Sequence, residues 1–197
     1  MNGLVEIKNL KQNNTAKKGD VLLLTKKIGV GILTTAEKKN QLRAEDKLLA
    51  ANQMMQLNKI GALLGGVAGV SAMTDVTGFG LLGHLIEMAE GAHLTAEINW
   101  KNVPYFEFID SYLQKNIIPD NTYRNWNAYE KKVFGLNDMK AFQILNDPQT
   151  SGGLLISIHP DSVNELEELF KSNNLTSFIK PIGCFRNETP NRVEVLL

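Results

Sequence analysis

Between residues 67 and 89 the chain changes hydrophobic period twice, so any fold must place a strand, a tight turn and a helix end to end there. Residues 67–73 form a short apolar segment, residues 74–77 a polar turn, and Gly78 and Gly80 open a helical pattern. Leu81, Leu82, Leu85, Ile86 and Ala89 then fall on one helix face. The first backbone N–H groups of such a helix have no intrahelical partner and can hold anionic oxygens. Asp75, between Thr74 and Thr77, has two readings. It caps the helix, or it ligates a hard cation such as magnesium, which takes oxygen ligands and keeps part of its water shell.

The remaining pattern mixes strands and helices. Residues 4–7 read as a short strand, and residues 21–25, a continuous apolar run, as a buried one. Between them Asn13-Asn14 and Gly19-Asp20 mark turns. Residues 44–57 predict a helix with Leu48, Ala51 and Met55 on one face and Met54 and Met55 filling the core. Residues 61–69 predict a short, closely packed helix and a turn. Gly91 reads as the C-cap of the central helix, residues 94–98 as a half-buried strand, and Pro104 as the start of a helix to about Lys115. Residues 118–135 read as an aromatic-rich loop folded over the core. Residues 154–158 predict a buried strand and residues 162–171 an amphipathic helix, with Leu166 and Phe170 inward and Glu165, Glu167 and Glu168 outward. Residues 178–185 and 192–197 read as closing strands. This order predicts an α+β domain, a mixed sheet packed with helices.

Charge excludes several classes of function. Lys+Arg and Asp+Glu both number 21, so no general field attracts nucleic acid or a membrane surface. No apolar run has the length of a membrane span, and the start shows no secretory pattern. Cys184 is the only cysteine, which suits a reducing cytoplasm, and with three histidines it makes no zinc pattern. It reads as a small buried apolar residue, and His84 as a structural histidine rather than a general base. Lys26 either meets a phosphate or ends a strand in solvent. Residues 150–153, Thr-Ser-Gly-Gly, either present hydroxyls and amides to an anion or form a plain turn.

Three strings carry a resemblance: LTKKIGVGILTTA at 24–36, TDVTGFGLLGHL at 74–85 and DPQTSGGLL at 147–155. In that order they resemble the selenophosphate synthetase (selenide, water dikinase) family. The resemblance runs from about Gly3 to Leu197 and matches only that family's C-terminal domain; Lys27 stands where the family usually has proline. It implies one domain over 1–197 with the α+β fold of the C-terminal domain of the aminoimidazole ribonucleotide synthetase superfamily. It also implies phosphoryl transfer, in which ATP, selenide and water give selenophosphate, AMP and phosphate. Asp75 matches the family's metal-binding aspartate in this domain, and Thr150, Ser151, Gly152 and Gly153 are expected beside the nucleotide. The family's reactive cysteine or selenocysteine, its catalytic lysine and its glycine-rich nucleotide segment lie in an N-terminal domain, which would hold most of the Mg2+ and ATP. No catalytic residue is therefore expected in residues 1–197, and the chain is expected to be inactive alone. Met1-Asn2-Gly3 reads as a start set just inside a longer chain. The implied partners are that N-terminal domain, ATP, selenide and a second copy of the full-length protein. A purine-biosynthesis synthetase, which shares the fold but lacks the combined strings, and a non-catalytic binding module are the alternatives. If the 74–80 and 147–153 loops serve one site, they must share a rim of the sheet, with Asp75 facing solvent.

Overall fold

The computed structural model describes residues 4–197; the expectation for Met1-Asn2-Gly3 lies outside them. Seven strands form one sheet: β1 (Val21–Leu24), β2 (Val70–Asp75), β3 (Leu94–Asn99), β4 (Val133–Phe134), β5 (Leu154–Ile158), β6 (Gly183–Asn187) and β7 (Val193–Leu196), in the order β2-β5-β1-β6-β3-β7-β4. The β2–β5, β5–β1, β1–β6 and β6–β3 pairs are antiparallel, whereas β7 runs parallel to β3 and β4. The sheet is mixed and carries helices, so the domain is α+β as the pattern predicts.

Helices cover both faces because the central strands are apolar on both. Leu22 and Leu24 of β1 point into one core and Leu23 into the other. The larger core includes α1 (Val30–Lys38), α4 (Gly80–Ala92), α6 (Asp120–Tyr129) and α7 (Met139–Leu145). The smaller joins Leu154, Ile156 and Ile158 to α3 (Ile60–Gly66) and α8 (Val163–Ser172) through Leu64, Leu166 and Phe170. Each such buried side chain contributes about 1.5–3 kcal/mol. One polar cluster crosses the sheet: buried Asp20 accepts from Lys17 N and Ser157 Oγ, both at 2.8 Å, and from Ser71 Oγ.

Several expectations are corrected. Residues 4–7 form no strand; Leu4 and Ile7 are exposed, and Ile7–Asn9 is a 3-10 turn. The helix expected over 44–57 is broken at Leu48, whose φ of 68° is left-handed, leaving only α2 (Leu49–Met55). The break resets the face: Ala50 and Gln53 are buried, Leu48 and Met55 exposed, and Met54 alone of the two methionines packs on the core. Asp46 turns inward just before it, taking Arg43 Nε at 2.6 Å and the Tyr112 hydroxyl. The central helix ends at His93, left-handed at φ 56°, and not at Gly91. Pro104 opens no helix, because its carbonyl accepts from Ile28 N at 3.0 Å in an extended segment; α5 (Asp110–Leu113) starts later. Residues 120–129, expected as loop, are helical, with Tyr129 buried and Trp126 edge-on to Phe142. The strand expected from 178 begins at Gly183, after a 3-10 turn at Thr176–Phe178.

Candidate functional site

The three strings meet at one junction. β2 ends at Asp75, opposite Leu154 at the start of β5. Just beyond, Val76 N donates to Gly153 O at 2.8 Å and Gln149 N to Thr77 O at 3.0 Å. The two loops therefore lie side by side on one rim. From the 24–36 string, Thr25 Oγ1 accepts from Leu154 N at 2.8 Å, and Lys26 Nζ donates to Ser151 O at 2.7 Å and to Gln56 O at 2.8 Å.

Asp147 is fully buried and holds the start of α1. Its Oδ2 accepts from Gly31 N at 2.9 Å and from Gln149 Nε2 at 2.8 Å. Gln149 Oε1 lies 3.3 Å from Gly29 N and 3.2 Å from Val30 N. Together the two side chains satisfy donors that a helix N-terminus otherwise leaves open. Gly31 is required because a Cβ there would lie 2.5 Å from both Asp147 Oδ1 and Pro148 O. Burial pushes the Asp147 carboxyl up to about 8, against the opposing pull of Gln149 and the Gly31 and Ile32 amides.

The turn after Asp75 is held from three sides. Gly80 has φ 70°, and a Cβ on it would meet the Asn146 carbonyl carbon at 2.9 Å. Asn125 Nδ2 donates to Gly78 O at 2.9 Å and to Asn146 O at 3.1 Å. The Tyr129 hydroxyl lies 3.0 Å from Phe79 O and 2.8 Å from Asn146 Oδ1, and burial raises its pKa. His84, on the first turn of α4, is buried. Its Nε2 accepts from Thr77 N at 3.0 Å, so the neutral ring carries its proton on Nδ1, 3.7 Å from Glu87 Oε2. Burial lowers its pKa. It acts as a brace for the loop, in line with the structural role expected of it.

Asp75 stands apart from this web. Its residue is exposed, and among the described residues its carboxylate takes no ion pair or side-chain hydrogen bond. Thr150 and Ser151 also reach the surface, while Gly152 and Gly153 are buried. The Gly152 and Gly153 carbonyls serve the junction, taking Asn58 Nδ2 at 2.9 Å and Val76 N. Among the described residues nothing accepts from the backbone N–H groups of residues 150–153. Lys26 is not the solvated lysine of the sequence alternative; it is buried, and burial lowers its pKa. It borders a cleft of about 540 Å³, whose polar wall includes Thr25, Gln56, Asn58 and Lys59 and whose lining does not include Asp75. Cys184 is half-buried. Among the described residues no three His, Cys, Asp or Glu side chains gather as a metal cluster. Magnesium is commonly held by one or two carboxylates, water and substrate phosphate. No helix among the described residues is long and apolar enough to cross a membrane.

The roles of Asn125, Tyr129 and Gln149 are missed by sequence reasoning. No local pattern marks these roles; Asn125 ties α6 to the central turn.

Residues 17–194 match the family described as AIR synthase related protein, C-terminal domain. The chain is 46% identical over 195 residues to a selenide, water dikinase of Aeromonas hydrophila, covering 98% of this chain and 56% of that protein. It is 47% identical over 194 residues to one of Pseudomonas putida, with the same coverage of 98% and 56%. The chain thus spans about half the length of the curated relatives it matches. Among solved structures it is similar to thiamine-monophosphate kinase from Stenotrophomonas maltophilia (TM-score 0.68, 16% identity, 97% of this chain and 54% of that one). It is also similar to hydrogenase maturation protein HypE in complex with ATP (TM-score 0.66, 15% identity, 93% and 47%). At these identities the structural likeness is one of fold.

Proposed function

The chain belongs to the AIR synthase related family, C-terminal domain, and on that premise we propose that it is the C-terminal part of a selenide, water dikinase, forming one wall of a phosphoryl-transfer site. The observation that carries the reading is the junction itself. Three separate strings are locked into one rim, and the carboxylate they position, Asp75, is exposed and, among the described residues, unpaired. The named relatives support the chemistry.

Asp75 would supply one ligand to Mg2+. The cation, when bound, would neutralise charge on phosphate oxygens. Thr150 and Ser151 would offer amides and hydroxyls to a phosphate oxygen, with Gly152 and Gly153 shaping the backbone that presents them. The hydrogen bonds behind the rim hold these groups before substrate arrives, so little reorganisation is needed when charge develops. The ATP-binding segment, the nucleophile and the general catalytic groups would come from residues of the whole protein outside this chain, and the full-length protein would be a cytoplasmic homodimer. The chain alone would neither turn over nor hold ATP tightly. Calorimetric titration with ATP and magnesium tests this division. We expect no saturable binding at low-micromolar ATP; a low-micromolar dissociation constant would place a complete nucleotide site in this chain and overturn it.

A further inference from the structure

A second cleft, about 410 Å³, has Pro148, the neighbour of Asp147, in its wall. Lys38 and Lys39, at the end of α1, and Arg124, on α6, line it together with Thr35, Asn121 and Asp120. All three cations are exposed, and among the described residues none of them forms an ion pair. Formal net charge of the chain is zero, so three uncompensated cations in one concavity are a local concentration and not a share of a general excess. Asp120 removes one charge and leaves the cleft net positive. Arg124 brings a planar fork that suits phosphate oxygens, and the lysines bring flexible point charges. Lys38 and Lys39 also suit the negative end of α1, an arrangement that leaves their ammonium groups free.

The cleft is coupled to the rim by chain connectivity. Pro148, in its wall, lies between Asp147 and Gln149, both of which hold α1. Arg124 precedes Asn125, which grips the central turn through Gly78 O. We propose that this cleft is a second oxyanion site, for a phosphate group, separate from the Asp75 rim. It takes from the proposed function only the premise that phosphate compounds surround this chain. The group is either free orthophosphate or the end of a polyphosphate chain.

Calorimetric or NMR titration of this chain with orthophosphate, and separately with tripolyphosphate, at low ionic strength tests it, with chloride at matched ionic strength as control. We expect saturable binding that Arg124→Met weakens at least about tenfold, as loss of one charge-assisted contact does. The Lys38→Gln, Lys39→Gln double variant, on another helix, should weaken it similarly. Tighter binding of tripolyphosphate than of orthophosphate assigns the cleft to a polyphosphate end, and equal binding assigns it to orthophosphate. Lys171→Gln, at an exposed lysine of α8 outside this cleft, should leave orthophosphate binding unchanged, and the titration contains neither magnesium nor ATP, which separates failure here from failure of the Asp75 reading. Absence of saturable binding, or binding indifferent to both cleft variants, overturns the proposal.

Discussion

Asp75 and Asp147 each belong to a glycine-rich loop of the same rim, yet they are in opposite physical situations. Asp147 is buried, accepts from Gly31 N and Gln149 Nε2, and closes the start of α1. Asp75 is exposed, and among the described residues its carboxylate takes no side-chain hydrogen bond or ion pair. The difference shows a division of work between similar-looking residues. A buried carboxyl without its donors costs several kcal/mol, so the contacts of Asp147 are part of what holds the fold. A surface carboxylate without partners costs the fold almost nothing and is available to a ligand. The comparison makes opposite predictions for stability and activity at the two positions.

The largest effect should follow removal of Asp147. Asp147→Ala leaves Gly31 N without an acceptor in the interior, leaves Gln149 Nε2 only the backbone carbonyl of residue 147, and opens a small void. We expect a loss of roughly 3 kcal/mol in unfolding free energy, read as a fall in the urea midpoint at constant slope. A loss below about 1 kcal/mol would mean that water or backbone replaces the carboxyl, and the contrast with Asp75 would largely vanish.

The same carboxyl should also make stability depend on pH. The Asp147 carboxyl stands at about 8 in the folded chain against an ordinary 3.8. The folded state therefore holds this proton more tightly than the unfolded state. Its contribution is fully present below about pH 4 and is lost as pH rises through about 8. Wild-type stability should fall between pH 5 and pH 8.5 by more than that of Asp147→Asn, which has no proton to lose. If wild type instead gains on the variant as pH rises, the carboxyl is ionised when folded and the Gly31, Ile32 and Gln149 donors outweigh burial.

Much of this contrast was hidden in the chain, for identifiable reasons. The strand at 21–25 was legible because Leu22, Leu23 and Leu24 are apolar on both faces of a central strand. The turn and helix after Asp75 were legible from Gly80 and the leucines behind it. The shared rim followed from reading the 74–80 and 147–153 loops as parts of one site, and the structure places them in contact. The burial of Asp147 was not legible, because the amide it caps is 116 residues away and nothing local marks it. α6 carries a weak local signal, because Asn, Tyr and Trp are modest helix formers. Its helicity comes from tertiary contacts, with Asn125 and Tyr129 bonded to the central turn and Trp126 packed on Phe142. The face of Met55 is not legible, because it depends on the chain turning left-handed at Leu48.

The smallest effect on the fold, and the sharpest test of the comparison, is expected at Asp75. Asp75→Asn keeps the shape of the side chain and removes its charge. Its residue is exposed at the end of β2, and the strand pairing to Leu154 uses backbone only. Unfolding free energy should therefore change by no more than about 0.5 kcal/mol. In the full-length protein the same change removes the charge proposed to hold magnesium at the phosphates. Turnover should drop at least about tenfold, equivalent to roughly 1.4 kcal/mol of barrier. Steady-state assay at saturating magnesium, beside urea unfolding of the same variant, reads both quantities. A stable variant with wild-type turnover would strip Asp75 of its role. A variant that loses both stability and turnover would make Asp75 another Asp147, a carboxyl that shapes the loop and nothing more.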